Sequence, residues 1–199
     1  MESFLALWPV GCKDTGLVAA QFAGYINAVA AQRCHDLTCL PIQHSLIHSM
    51  PLKPPTVLIL ASGRGKRFKA SGGTVHKLQA LLAGKPVLQH TLDAVRASGL
   101  PWHVEDAGHP GMGDSIAAAV RHTSNAAGWL VLPGDLPLVQ PATLQAMAQV
   151  LLEEQAVVAW PELAGERGHP VAFGVDCLPD LLALQGEKGA APVVRKWVE

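Results

Sequence analysis

Between Leu60 and Lys77 the chain sets Gly63, Gly65, Gly72 and Gly73 among five cations, Arg64, Lys66, Arg67, Lys69 and Lys77. Glycines let backbone N–H groups come close to an oxyanion, and fixed cations neutralise it, so this composition suits a triphosphate. The spacing is neither a Walker loop nor the GxGxxG dinucleotide fingerprint. A solvated basic turn would have the same composition, so the segment has to be weighed with the residues around it.

Three other clusters could complete a site. Asp135, in Leu-Pro-Gly-Asp-Leu-Pro, directly follows an apolar run, where a carboxylate can hold Mg²⁺ by hard oxygen and share it with substrate phosphates. The alternative is an Asp that only turns the chain before Pro137. In Gly111-Met-Gly-Asp-Ser, two glycines precede a helix whose first turn contains Asp114 and Ser115. Free N–H groups there could meet a base or phosphate, and an ordinary N-cap would give the same pattern. Last, Arg167-Gly-His-Pro brings His169 to the mouth of a strand, a position where a histidine can also be merely solvated. The chain has no GxSxG elbow, no HExxH and no clear pair of catalytic carboxylates, which points away from hydrolysis by an activated protein nucleophile.

These groups need strands to carry them. Val57, Leu58, Ile59 and Leu60 form an apolar run ending in Ser and Gly, as a buried parallel strand does when it delivers a loop to a site. Pro86 suits the first position of a helix with Leu88, Leu92 and Val95 on one stripe and Gly99 as its stop. The pattern predicts a strand over 102–105, a helix over 114–121, a strand over 129–132 and a loop over 133–137. Pro141 then opens a helix in which Leu144, Met147, Ala148 and Leu151 follow the i, i+3, i+4, i+7 rule. A strand over 156–160, a loop over 161–169, a strand over 170–173 and short helices complete the chain. The repeated order predicts an α/β fold, a Rossmann-like layered sheet flanked by helices with loops gathered at the strand C-terminal ends.

Of the 199 residues 49% are hydrophobic and the formal net charge is −1, so one buried core is expected and there is no basic field for nucleic acid or an anionic membrane. Phosphate recognition must therefore be local. No run approaches the roughly 18 to 20 apolar residues that span a bilayer, and the N-terminal residues lack a basic signal-peptide start. Four cysteines, at 12, 34, 39 and 177, form no CxxC pair, which fits a reduced cytoplasmic setting. Only five charged side chains fall in 1–50, against 26 in the remainder. This divides an extension and linker of unreadable role, with a helix over 15–33, from a domain over 51–199. Met50, just before the first strand, is a candidate natural start.

In this order the motifs resemble the molybdenum-cofactor nucleotidyltransferases, particularly the cytidylyltransferase branch. The resemblance covers about 57–194. It rests on Leu60, Ala61, Gly63, Gly65, Arg67 and Lys77 of the glycine-rich loop, Gly111–Ser115, Gly134–Pro137, the Gly-His-Pro at 168–170 and the Gly-Glu-Lys-Gly-Ala run at 186–190. It implies the nucleotidyltransferase, glycosyltransferase-A-like fold. It also implies Mg²⁺-dependent transfer of a nucleoside monophosphate, CMP before GMP, from the triphosphate to the phosphate of molybdopterin, with release of pyrophosphate. Asp135 would bind the metal, and Arg67 and Lys77 would stabilise the phosphates. Leu60, Ala61, Ser62, Gly63, Gly65, Gly111, Asp114 and Ser115 would hold the nucleotide, and His169 would line the acceptor side. A molybdoenzyme or cofactor-delivery protein would be the partner. A phosphate nucleophile is already ionised near neutral pH, so alignment and charge neutralisation would carry the reaction.

Three departures keep alternatives open. Ser62 stands where the family residue would hint at cytidine or guanosine. Lys77 lies ten positions after Arg67, more than the family's usual few. Only 101–110 join the first helix to Gly111, where the family fits a further strand and helix, so the sheet is expected to be reduced. The competing readings are transfer to a sugar phosphate or another small phosphorylated acceptor, and a non-catalytic nucleotide-binding module in cofactor delivery.

Overall fold

The computed structural model describes residues 53–63 and 76–198. The expected helix over 15–33, the linker as far as Leu52, and Arg64, Gly65, Lys66, Arg67, Lys69, Gly72 and Gly73 lie outside the described residues.

The central sheet has five strands. β1 is Thr56–Leu60, and two small hairpin strands follow, β2 (Leu81–Leu82) and β3 (Lys85–Pro86). Helix α1 (Val87–Ser98) leads to β4 (Trp102–Glu105), and α2 (Met112–His122) leads to β5 (Gly128–Pro133). Then come α3 (Pro141–Glu153), β6 (Val158–Ala159), the strands β7 (Glu162–Leu163) and β8 (Glu166–Arg167), and β9 (Val171–Gly174). Two short helices, α4 (Leu178–Leu182) and α5 (Ala191–Val198), complete the described chain. The sheet order is β4-β1-β5-β9-β6. β1 pairs in parallel with both β4 and β5, whereas β9 runs antiparallel between β5 and β6.

Alternation along the central strands divides the core into two layers. Leu58, Trp129 and Val131 face α2, α4 and α5 through Ile116, Val120, Leu181 and Val193. Val57, Ile59, Leu130 and Leu132 face α1 and α3 through Val95, Leu144 and Met147. β1 and β5 are buried on both faces, which is why their sequences read as continuous apolar runs. Each such fully buried large side chain contributes roughly 1.5–3 kcal/mol.

Several local expectations change. Pro86 caps α1 instead of occupying its first turn, because it also closes the β2–β3 pair. The strand expected over 156–160 is only Val158–Ala159, and the loop expected over 161–169 contains the β7–β8 hairpin. That hairpin holds the Arg167 guanidinium 4.2 Å from the centre of the buried Trp160 ring. No helix among the described residues is long and apolar enough to cross a membrane.

Candidate functional site

The C-terminal ends of β1, β4 and β5 lie at one edge of the sheet because these strands are parallel. The loop after β1 is stitched to both neighbours. Ala61 N–H donates to the Glu105 carbonyl at 2.8 Å, and Gly134 N–H donates to the Leu60 carbonyl at 3.0 Å. β9 is antiparallel, so its beginning reaches this edge, and the residues just before it include His169, joined to Pro170 by a cis peptide.

Lys77 and Asp135, 58 residues apart, meet here: Lys77 Nζ donates to Asp135 Oδ2 at 2.7 Å. Lys77 is brought in by a 3-10 turn, Lys77–Gln79, with Leu78 buried beneath it. His76 fixes that turn. Its Nε2 lies 2.6 Å from the Gly63 carbonyl, which can only accept, so Nε2 carries the proton and Nδ1 is the acceptor facing Leu78 N–H. Both partners of the ion pair are about one-third exposed, so the pair adds little to stability and remains open to a ligand. The long spacing from Arg67 therefore does not keep Lys77 from the carboxylate.

Gly134 anchors the Asp135 loop from below. A Cβ on it would sit 3.0 Å from Leu88 Cδ1 and 3.1 Å from the Leu60 carbonyl, so glycine allows the close approach. The buried Thr91 of α1 donates from Oγ1 to the Gly134 carbonyl at 3.1 Å. Thr91 was not among the expected site residues. It falls on the apolar stripe of α1 between Leu88 and Val95, and a hydroxyl on a buried stripe is the signal that could have found it. His76 gave no comparable signal.

On the other side, Ser62 Oγ and Ser115 Oγ are 2.7 Å apart, which joins the loop after β1 to the first turn of α2. Ser115 is buried and also donates to the Gly111 carbonyl at 3.2 Å. The late glycine run docks on the same turn: Gly113 N–H donates to the Gly186 carbonyl at 2.8 Å, and Gly186 N–H donates to Asp114 Oδ2 at 2.8 Å. A Cβ on Gly111 would lie 2.3 Å from the carbonyl carbon and oxygen of Gly186. The N–H of Gly113 and one Asp114 oxygen, expected to face a nucleotide, are thus engaged with this loop.

His169 stands exposed at the mouth. Partial desolvation lowers its pKa below the ordinary 6.5, while the Asp135 charge and a hydrogen bond to the Val131 backbone pull the other way. Neutral imidazole near a carboxylate can donate to a bound group or accept from one, as its tautomer dictates. Of the expected site residues, the structure brings together Leu60, Ala61, Ser62, Gly63, Lys77, Gly111, Asp114, Ser115, Asp135 and His169. Gly65 and Arg67 lie outside the described residues.

Residues 93–199 match the family described as MobA-like NTP transferase domain. That match takes in Gly111–Ser115, Asp135 and His169 and begins after the glycine-rich loop and Lys77. Over 159 residues the chain is 29% identical to the bifunctional protein GlmU of Desulfitobacterium hafniense, an alignment covering 69% of this chain and 34% of that protein. The chain therefore spans about a third of that relative's length. Among solved structures, a nucleotidyl transferase from Methanothermobacter superposes with a TM-score of 0.54 at 24% identity, covering 73% of this chain and 82% of its own. The Rv0371c protein of Mycobacterium tuberculosis, solved as a manganese complex, superposes with a TM-score of 0.53 at 22% identity, covering 71% of this chain and 82% of its own. These likenesses show a shared α/β nucleotidyltransferase fold, with a mixed sheet between helical layers. With a little over half of its residues inside the family match, the chain belongs to the MobA-like NTP transferase domain family.

Proposed function

We propose that the chain is a nucleotidyltransferase that transfers CMP, before GMP, from the nucleoside triphosphate to the terminal phosphate of molybdopterin and releases pyrophosphate. The observation carrying this reading is the Lys77–Asp135 pair at 2.7 Å, a cation and a hard carboxylate at the strand ends beside Gly63. An ionised phosphate acceptor needs no general base; it needs alignment and neutralisation of charge on the phosphates. In this reading Lys77 and Arg67 supply the neutralising charge. The segment from Leu60 to Gly65 supplies backbone contacts, Gly111 to Ser115 holds the nucleoside side, and His169 lines the acceptor side.

Mg²⁺ fits the donor set. Lys77 occupies Asp135 Oδ2 and leaves Oδ1 for a hard cation, and Mg²⁺ is commonly held by one or two carboxylates together with substrate phosphates. Bound there, the metal would supply charge neutralisation at the triphosphate. The mycobacterial structural neighbour with manganese supports a divalent cation in this fold. We place the transferase domain at 51–199, with 1–50 as an extension, and a cytoplasmic molybdoenzyme or delivery protein as the onward partner.

The relative named GlmU makes a sugar phosphate the second reading for the acceptor. Pyrophosphate release tests the two: CTP, Mg²⁺ and molybdopterin should give stoichiometric pyrophosphate, with GTP slower. Release only with a sugar 1-phosphate would replace the acceptor. Nucleotide binding with no release from any acceptor would turn the chain into a binding module.

A further inference from the structure

A second cluster lies off the candidate site, on the face of β4 that is covered by α2. In the parallel register His103 pairs with Leu58 and Glu105 with Leu60, so both side chains point to the same layer as Leu58. His122 is the last residue of α2 and approaches from above. One donor atom from each of His103, Glu105 and His122 lies within 4.8 Å of the other two.

Three features distinguish this cluster from a chance grouping of polar residues. His103 Nε2 is buried and has no hydrogen-bond partner; it stands 3.7 Å from Glu105 Oε2, too far for a hydrogen bond. A buried polar atom without a partner is costly, so its surroundings call for another group. Glu105 is almost fully buried, and its Oε1 accepts from Ala107 N–H at 3.2 Å and lies 3.1 Å from His109 Nε2. One carboxylate oxygen is held, and Oε2 is turned to His103. His122 Nδ1 is 3.0 Å from the Ala118 carbonyl, which only accepts, so Nδ1 carries the proton and Nε2 keeps its lone pair. Outer partners of this kind fix the tautomers and orientations of metal ligands. The C-terminal end of a helix also favours a cation.

We propose that His103, Glu105 and His122 form a binding site for a borderline-soft divalent cation of the Zn²⁺ class. Two imidazoles and a carboxylate match zinc's preferred donors, whereas Mg²⁺ selects all-oxygen octahedra. Ligands at about 2.0–2.1 Å in a tetrahedron stand about 3.3 Å apart, so His103 and Glu105 already have nearly that separation. The stacked rings of His103 and His122, with centroids 5.3 Å apart, need side-chain rotation to bring the third donor in. Three protein ligands leave a fourth position to water on the exposed His122 side. The cation would fasten the edge strand to the end of α2, and the Glu105 carbonyl links that strand to the loop after β1.

The test uses the full chain, stripped with chelator and titrated with Zn²⁺ by calorimetry, then with Co²⁺ as a spectroscopic substitute. One Zn²⁺ per chain should bind, resist a large excess of Mg²⁺, and give Co²⁺ spectra free of thiolate bands. His122→Ala lies at an exposed helix end and should weaken binding at least tenfold while the far-UV spectrum is retained. His109→Ala should weaken it by about tenfold through Glu105. Asp135→Asn should leave zinc affinity unchanged. No binding, unchanged affinity in His122→Ala, or thiolate bands from the cysteines would each overturn the proposal.

Discussion

The two sides of the candidate site are built in opposite ways. On one side, Lys77 and Asp135 are long or charged side chains that reach across open space, and only the ground beneath them, at Gly134 and Thr91, is packed. On the other, Gly111, Gly113 and Gly186 meet backbone to backbone, with a hydrogen bond of 2.8 Å from Gly113 N–H to the Gly186 carbonyl. A charged contact tolerates small errors of position and fails with the loss of charge. A backbone contact tolerates changes of charge and fails with the addition of a single carbon.

The widest separation between the two sides should come from Asp135→Asn. It removes a charge and leaves the shape, so turnover should fall about 100- to 1,000-fold, as losing a charge-stabilising group does in other enzymes. The melting temperature should hardly change, because a partly exposed ion pair contributes at most about 1 kcal/mol. Steady-state pyrophosphate assays beside a thermal melt would show it; near-normal turnover would remove Asp135 from the metal role.

Gly111→Ala should do the reverse. Its Cβ would meet Gly186 backbone at 2.3 Å, so the late loop must move, at a cost of about 1–3 kcal/mol. That corresponds to a fall of roughly 2–12 °C in melting temperature for a domain of this size. An unchanged melt would mean that the late loop does not rest on Gly111.

The smallest effect is the pH response of His169. Its pKa is lowered in the fold, so the neutral form is the one the fold prefers. The associated stability is fully present above 6.5, the ordinary value, and is lost as pH falls from there through the lowered folded-state value. Because the side chain is exposed, the difference between wild type and His169→Gln should be slight and confined to that acid window. A difference that grows above neutrality would have the wrong sign and would refute the desolvation account.

How much of this was legible in the sequence depends on whether the signal was local. β1 and β5 could be placed because two-face burial writes itself as Val57-Leu-Ile-Leu and Trp129-Leu-Val-Leu, and α3 because Pro141 and its apolar period agree. The direction of β9 could not: Val-Ala-Phe-Gly reads the same parallel or antiparallel, and direction is decided by partners elsewhere in the chain. Asp135 and His169 were legible as loop residues after or before a strand. The engagement of Asp114 with Gly186 was not, because a helix-start acid looks alike whether its partner is a ligand or a loop 72 residues away. His103 and His122 stood unnoticed because their meeting depends on α2 folding back over β4.

The placement of β9 also sets an order of events. Among the described residues β6 pairs only with β9, and β9 in turn leans on β5, so the sheet cannot be completed in the order in which the chain emerges. Val158, Ala159 and Trp160 must wait for residues 171–174 to arrive and slide between them and β5. Such non-local closure is slow, and until it happens this stretch is an unpaired apolar strand open to other chains. Truncations that end between Trp160 and Val171 should therefore aggregate, whereas the chain carried through α5 should not, which makes β9 the late keystone of synthesis as well as the carrier of His169.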